Sequence, residues 1–390
     1  MNSLKDELRY FFSGEGMPYG KVSLMVIVVV TSIFMACFSN NYIEKGKIAV
    51  IDIDNSKYSH EFIDEMNASS YIHVDKVLNM PVNPQTLFYQ TRHLAVVYLP
   101  KGFEKNRYSM SANNIGVFYD NTNLSQSSNI KEALNAIVAT ENAKIGSEQI
   151  QALGMSSDQA SGVLSNISLN KRELFNPVGS YDDTVVIGFM FFFSSVFFTL
   201  AVIGIIPRLR LEKKWEMELL MGSPFATMLR LVPYMLCFVG ANVVGLVMLR
   251  LIGDLKFEGS FMLFVPSMFI LAASLGILAM FLGWNAPNPG MASGRMIFIV
   301  PAGFIFSGMT IPVDFYPHWV QVGSHFFPLL WVYKFTKDII MRGASFWDCA
   351  SEYGGFLIYL GIFAAIFSLR FFRQRQKMLL VLDAADSKNI

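Results

Sequence analysis

Pro207-Arg-Leu-Arg-Leu-Glu-Lys-Lys-Trp-Glu-Met-Glu-Leu-Leu-Met-Gly-Ser-Pro224 lies between two long apolar blocks, Val185–Ile206 and Phe225–Ile252. Seven charges fall within eleven residues, Arg208, Arg210, Lys213 and Lys214 against Glu212, Glu216 and Glu218. Spans on either side put such a loop at a membrane surface, and its basic excess puts it on the cytoplasmic side. The reading of this stretch decides the fold.

Composition agrees. The 390 residues are 53% hydrophobic with a mean hydropathy of +0.40, above the range of soluble domains. A net charge of +1 without a basic, aromatic-laced patch argues against nucleic acid. Cys37, Cys237 and Cys349 lie in or beside apolar segments without metal or redox spacing.

Upstream, Leu4, Leu8, Phe11 and Phe12 share one helical face, with Lys5, Asp6, Glu7 and Arg9 elsewhere, so residues 1–20 predict an amphipathic helix in the interface plane. Gly14, Gly16, Pro18 and Gly20 break it. Val22–Phe38 exits into Ser39-Asn40-Asn41 without a small-x-small cleavage site, which makes it a retained signal anchor, transmembrane helix 1 at 21–39. Residues 40–180 change character. Between residues 40 and 179 there are twelve Lys/Arg and fourteen Asp/Glu. Strand-like runs at Lys47–Asp54, Tyr71–Leu78, Ala95–Pro100 and Ile115–Asp120 alternate with helical runs at Ser59–Ala68, Pro84–Arg92 and Ser125–Leu153, and Ile167–Phe175 reads as a returning strand. This predicts an inserted extracytoplasmic α/β domain with one sheet.

Residues 181–390 carry the remaining spans, at about 184–206, 228–252, 261–283, 294–313 and 353–372, each close to the ~20 residues that cross a bilayer. The expected fold is therefore a multi-span α-helical membrane protein with six transmembrane helices. With both termini cytoplasmic, the 207–224 loop and the basic tail Arg370, Arg373, Arg375 and Lys377 fall on one side. The link Gly253–Ser260, with Lys256, Asp254 and Glu258, falls on the other, and Arg250 dissents. The aromatic, Pro-punctuated stretch 314–350 predicts interfacial or re-entrant helices on the outer side.

Chemistry is sparse. There is no G-x-x-x-x-G-K-[ST] for ATP and no G-x-S-x-G, and His60-Glu61 lacks the second His of H-E-x-x-H. His73 and His93 are not at ligand spacing. Asp52 and Asp54 could pair as carboxylates, but Asn55-Ser56 behind them reads better as a turn and helix cap. Ionisable residues are nearly absent from the spans, where an ion-coupled carrier would show an Asp, Glu, His or Lys within its bundle. Their polar residues Asn242, Ser194, Ser195, Thr199 and Ser274 read as interhelical hydrogen-bonding groups. Energy for transport would then enter through the charged loop.

Glu216-Met-Glu-Leu-Leu-Met-Gly-Ser-Pro224, followed by Arg230 and Pro233, resembles the cytoplasmic signature of permeases of type-2 ATP-binding cassette (ABC) exporters. In that family a Glu, a Leu-Leu-like pair and a Ser/Thr-Pro close the loop that docks on the ATPase. The match puts Glu218 and Ser223-Pro224 in those places and Arg230 at the basic position of the next helix, while Trp215-Glu216 stands where the family has Gly-Thr. Phe306-Ser-Gly-Met-Thr-Ile-Pro-Val313, Tyr316-Pro317, Trp319, Phe327-Pro328-Leu329 and Asp338–Gly343 resemble its C-terminal signature, on Ser307, Gly308, Pro312, Pro317, Trp319 and Pro328. Ile48–Ser56, Ala95–Phe103 and Phe175-Asn176-Pro177 resemble the subgroup with a large insert after span one.

The resemblance implies a non-enzymatic permease subunit of an exporter in the inner (plasma) membrane. ATP and Mg would sit in a partner ATPase, with a second permease copy or paralogue beside this chain. In some members a periplasmic adaptor joins. ATPase coupling would fall to Arg208, Arg210, Glu212, Trp215, Glu216, Glu218, Gly222, Ser223 and Pro224. Cargo would be a drug, lipid, glycan or peptide, with no substrate residues indicated. The competing class is a membrane receptor or scaffold that binds through its external domain.

Overall fold

The computed structural model describes residues 3–37, 45–91, 93–108, 113–120, 124–152, 185–253, 255–309, 311 and 313–386. The chain divides into two compact units, Met1–Asn41 with Glu173–Ile390, and Tyr42–Arg172. Among the described residues six helices are long and apolar enough to cross a membrane, the number expected from the apolar runs.

The first unit opens with α1 (Ser3–Ser13), a turn through Pro18, and α2 (Tyr19–Cys37). In the second unit, strands β1 (Gly46–Asp52), β2 (Ile72–Leu78), β3 (Ala95–Leu99) and β4 (Gly116–Tyr119) form a single sheet of order β2-β1-β3-β4. β1 runs parallel to β2 and β3, and β4 is antiparallel to β3. Helices α3 (Lys57–Ala68), α4 (Pro84–Thr91), α5 (Phe103–Tyr108) and α6 (Leu124–Ala152) complete it.

The middle of β1, Ile48–Ile51, is apolar because both its faces are covered. Ile48 and Val50 pack with Phe62, Met66 and Leu134 on one side, and Ala49 and Ile51 with Leu87 on the other. Each large side chain so buried stabilises the unit by about 1.5–3 kcal/mol. Asp52 and Asp54 are structural. Asp52 accepts from the Asp54 and Asn55 amides and the Ser59 hydroxyl, and Ser56 caps α3 in a box with Ser59. Asp54 accepts from the Gly102 and Glu104 amides at 2.6 and 2.9 Å, which caps α5, a helix the sequence reading passed over. The expected strand at Ile167–Phe175, the Phe175-Asn176-Pro177 match, the Ser39-Asn40-Asn41 exit and Asp254 lie outside the described residues.

The first unit then continues with α7 (Ile187–Ile203), α8 (Ile205–Leu211), α9 (Trp215–Met221), α10 (Pro224–Met228), α11 (Val232–Leu251), α12 (Phe261–Gly283), α13 (Pro289–Ser293), α14 (Val300–Phe306), α15 (His318–Ser324), α16 (Pro328–Phe335) and α17 (Phe346–Asp386). Helices α7, α11 and α12 are its centre. Lipid offers no hydrophobic drive between helices, so close packing and interhelical polar contacts hold them. Phe191 meets Phe264 at 6.0 Å, Phe34 stacks on Phe189 at 4.6 Å, and Phe192 meets Phe304 at 4.6 Å. Ser194 donates to Asn242, which donates in turn to the Phe238 carbonyl. Ser195, Thr199 and Ser274 differ from expectation, since their buried hydroxyls find no partner among the described residues.

Contacts give the helices a common direction. Tyr19 and Phe11 meet Tyr234, Trp215 meets Trp284 and Phe371, and all of these lie at the end of the bundle that carries the 207–224 loop. At the far end, the Glu258 amide donates to the Ile340 carbonyl. Both α1 and the last turns of α17 therefore share the loop's end. The sixth span runs Phe346–Asp386, well beyond the expected 353–372 at both ends, because its charged extension stays helical and packs through Phe371 and Gln374. The stretch 314–350 divides in two. Around α15, Phe315, Trp319 and Val322 are exposed, whereas α16 and the π-type turns Thr336–Met341 are packed inside the bundle at Leu329, Val332, Phe335 and Ile339.

Burial works to raise the Asp54 carboxyl. The Glu104 amide, the Ser56 hydroxyl and the Gly102 and Phe103 amides outweigh it and hold the group below its ordinary 3.8. A depressed carboxyl contributes its stability above the unfolded-state value and loses it as pH falls through the folded one. Amides of α5 should accordingly lose protection, relative to their intrinsic exchange rates, as pH drops below 3.8, and Asp54→Asn should flatten that dependence while lowering protection at neutral pH. Hydrogen exchange read by mass spectrometry checks both.

Candidate functional site

The charged stretch folds as a helical hairpin. α8 continues α7 after a break at Gly204, Lys213 turns the chain in the left-handed region at φ 56°, and α9 runs back. Ser223 caps α10 by accepting from the Ala226 amide at 3.1 Å, with Pro224 at the first helical position, where its missing N–H costs nothing. Gly222 makes the closure possible. A Cβ there would stand 2.4 Å from the Glu218 carbonyl oxygen, backbone that cannot step aside.

Beneath the hairpin the charges alternate through the interior. Glu7 and Glu218 have no exposure and Arg230 is 1% exposed. Arg208 Nη2 donates to Glu7 Oε2 at 2.5 Å, Arg230 Nη1 to the same oxygen at 3.1 Å, and Arg230 Nη2 to Glu218 Oε2 at 2.8 Å. Neutral donors fill the remaining lone pairs. Tyr234 donates to Glu7 Oε1 at 2.9 Å and Ser3 to Glu218 Oε1 at 2.6 Å, and the Thr227 hydroxyl stands 3.4 Å from that oxygen. Glu212 extends the ladder to the surface, 3.7 Å from Arg208 Nε, and Tyr10 lies under the Arg208 guanidinium at 3.4 Å. Two carboxylates and two guanidiniums thus neutralise one another in a low-dielectric setting where any of them alone would be costly. Between α1 and the hairpin a cleft of about 450 Å³ opens onto the ladder, lined by Arg9, Tyr10, Arg208, Glu212, Lys214 and Met217.

The sequence reading assigned nine residues of this stretch to a partner, and the structure divides them. Glu218 and Trp215 face inward. Trp215 is 2% exposed and packs edge-on against Trp284 at 5.3 Å, so its replacement of the family's residue alters the loop's floor. Arg210 is spent on the exposed carbonyls at the end of α12, donating to Trp284 and Ala286 at 2.7 and 3.0 Å. Arg208 is a rung of the ladder, and Gly222, Ser223 and Pro224 shape the hairpin. Glu212 and Glu216 are exposed, beside Leu211, Met217, Met221 and Phe225.

Sequence reasoning missed Ser3, Glu7, Thr227 and Tyr234. It took the apolar face of α1 as the working face, yet Leu4 and Leu8 are half-buried, Phe12 is exposed, and the polar face packs inward. The signal was present: Ser3, Glu7 and Tyr10 stand at i, i+4 and i+7.

At the other end, Ser307 closes α14 by donating to the Phe304 carbonyl, and Gly308 turns at φ 78°, where a side chain would be strained. Its carbonyl accepts from Lys337. Pro317 and Pro328 start α15 and α16, Trp319 is exposed, and Pro312 lies outside the described residues. Among the described residues no group of His, Cys, Asp and Glu is placed to hold a metal.

A ladder of this kind makes a sharp statement about single and combined substitutions. Arg230→Met strands the buried Glu218 carboxylate, while Glu7 keeps Arg208, and should destabilise the chain by about 3–5 kcal/mol. Adding Glu218→Gln should recover much of that loss, since the group left without a counter-ion is then neutral and Glu7 stays paired with Arg208. Thermal melts of the purified chain give the comparison, and strictly additive losses would show that the groups do not act together.

Residues 22–372, well over half of the chain, match the model of the ABC-2 family transporter protein. No curated protein matches the chain. The matched range contains the hairpin, both helices that flank it and the inserted unit, and it begins after α1, so Ser3 and Glu7 lie outside it. On that match, the chain belongs to the ABC-2 transporter family and is the membrane component of a transporter.

Proposed function

We propose that the chain is the permease of an ATP-driven exporter that takes its energy from a separate ATP-binding cassette ATPase docked on the 207–224 hairpin. The observation that carries this reading is the hairpin's two-sidedness. Its inner side is locked by the ladder, while its outer side presents Leu211, Met217, Met221 and Phe225, between 51% and 77% exposed, among Glu212, Lys213, Lys214 and Glu216. Large apolar side chains ringed by charge are the composition of a docking surface, with the apolar studs for affinity and the charges for register. The sequence carries no phosphate-binding loop of its own, so ATP and Mg belong to the partner.

In this mechanism closure of the ATPases pushes the studs. The ladder ties α9 and α10 to α8 and α1, so a push on α9 is shared by four elements and reaches α7 and α11 as a rigid displacement. Two permease copies, or this chain and a paralogue, form the path for a hydrophobic or amphipathic cargo. The hairpin end, with both termini, faces the cytoplasm. The inserted α/β unit lies outside and contacts cargo or an adaptor.

Two substitutions separate docking from transmission. Met221→Asp combined with Phe225→Asp should remove most co-purifying ATPase, on the order of tenfold or more, because each places a charge in an apolar contact. Glu218→Gln should leave the ATPase bound and lower cargo-stimulated ATP turnover instead. Pull-down of the ATPase with turnover in proteoliposomes reads both. Undiminished ATPase binding by the double variant would sink the docking assignment.

A further inference from the structure

At the same end of the bundle a second cleft, of about 310 Å³, lies between the end of α12, the 3-10 turns Gly294–Phe298 and α17. Phe281, Leu282, Asn285, Arg295, Phe298 and Arg370 line it. Two guanidiniums enter it and no carboxylate does. Neither Arg295 nor Arg370 has an ion pair among the described residues, unlike Arg208 and Arg230 in the ladder.

Both are held in place by groups that leave donors over. Arg370 lies across the faces of Phe281 and Trp284, at 4.6 and 5.1 Å, which orients the guanidinium without using its N–H groups. Trp284 is itself pinned by its Nε1–H donating to Gln374, one turn from Arg370. Arg295 uses one N–H on the Leu282 carbonyl at 2.7 Å and leaves the rest of its fork free. Such forks match the oxygens of a phosphate. Asn285 is exposed at the rim and can add an amide donor.

The surroundings separate a lipid from a soluble anion. Phe298 is 69% and Ile297 58% exposed beside the cleft, and Phe281 and Leu282 line it, so an apolar apron adjoins the cationic head. The cleft sits where the apolar run of α12 ends, at Gly283, which is the depth of the headgroups. Half-buried, unneutralised arginines between spans at that depth are completed by an anionic headgroup, with acyl chains along the aromatic apron.

We propose that this cleft binds one anionic glycerophospholipid, its phosphodiester held between Arg295 and Arg370. The ligand chemistry is a phosphate, and its source is the bilayer. The proposal does not rest on the reading of the hairpin as an ATPase dock.

The full chain, purified in detergent, stripped of lipid and titrated under native mass spectrometry, tests it with three probes: phosphatidylglycerol, phosphatidylcholine and inorganic phosphate. Phosphatidylglycerol should bind as a single tight adduct, phosphatidylcholine much more weakly, and millimolar phosphate should not displace the lipid. Each of Arg295→Gln and Arg370→Gln should weaken phosphatidylglycerol by roughly fivefold, the effect of one basic residue at an anionic membrane surface, and the pair by roughly 25-fold. Equal binding of the two lipids, displacement by inorganic phosphate, or an unchanged adduct in the paired variant would each overturn the assignment. The lipid comparison uses the unaltered chain, so it decides the case even if the paired variant fails to fold.

Discussion

The loop end of this molecule depends on one interaction, the alternation Glu212–Arg208–Glu7–Arg230–Glu218. Each interior charge has a neighbour of opposite sign, and the lone pairs left over are met by Ser3, Tyr234 and Thr227. A buried ion pair is weak evidence of net stability, because desolvation offsets much of the attraction. What alternation does supply is register. Arg230 bridges two carboxylates from different elements, so α1 and α9 cannot shift separately on α11 without stranding a charge.

The floor of the hairpin is fixed as well as its side. Arg210 closes the end of α12, Trp215 seats on Trp284, and Gly222 lets the chain pass the Glu218 carbonyl. These residues hold the hairpin against the bundle from below, as the ladder holds it from the side. The exposed studs stand on a platform with little internal freedom. Trp284 recurs under the lipid cleft, where Arg370 covers it, so one aromatic ring supports both the hairpin and the cationic site.

Much of the fold was legible because its signals are local. Six runs of apolar residues, each about the thickness of a bilayer, can only be spans, and β1 declared itself by being apolar on both faces. The candidate site was legible only as a location. Glu218 and Arg230 are 12 residues apart and their pairing could be guessed from a helix-turn-helix, but Glu7 meets Arg208 and Arg230 across 201 and 223 residues. The i, i+4, i+7 spacing of Ser3, Glu7 and Tyr10 marks a polar face but does not name partners so distant. The hydrophobic reading of α1 also misled, because in a membrane surface helix the apolar face meets lipid and the polar face is the one left for the protein. The end of α17 was missed for a related reason: charge marks the end of a span, not the end of a helix.

The ladder's polarity is itself informative about what the hairpin does. An apolar seam of the same size would hold α9 in place, yet it would yield by degrees as side chains repacked. Alternating buried charges respond differently, since parting α9 from Arg230 leaves Glu218 without its counter-ion in a low dielectric. The assembly therefore moves as a block or comes apart, with intermediate states disfavoured. On the function proposed above, that behaviour suits a part that carries displacement from a docked ATPase into helices α7 and α11, because a compliant seam would dissipate it at the surface. The ladder runs through α1, α8, α9 and the turn that precedes α11, and α8 leaves α7 at the break at Gly204.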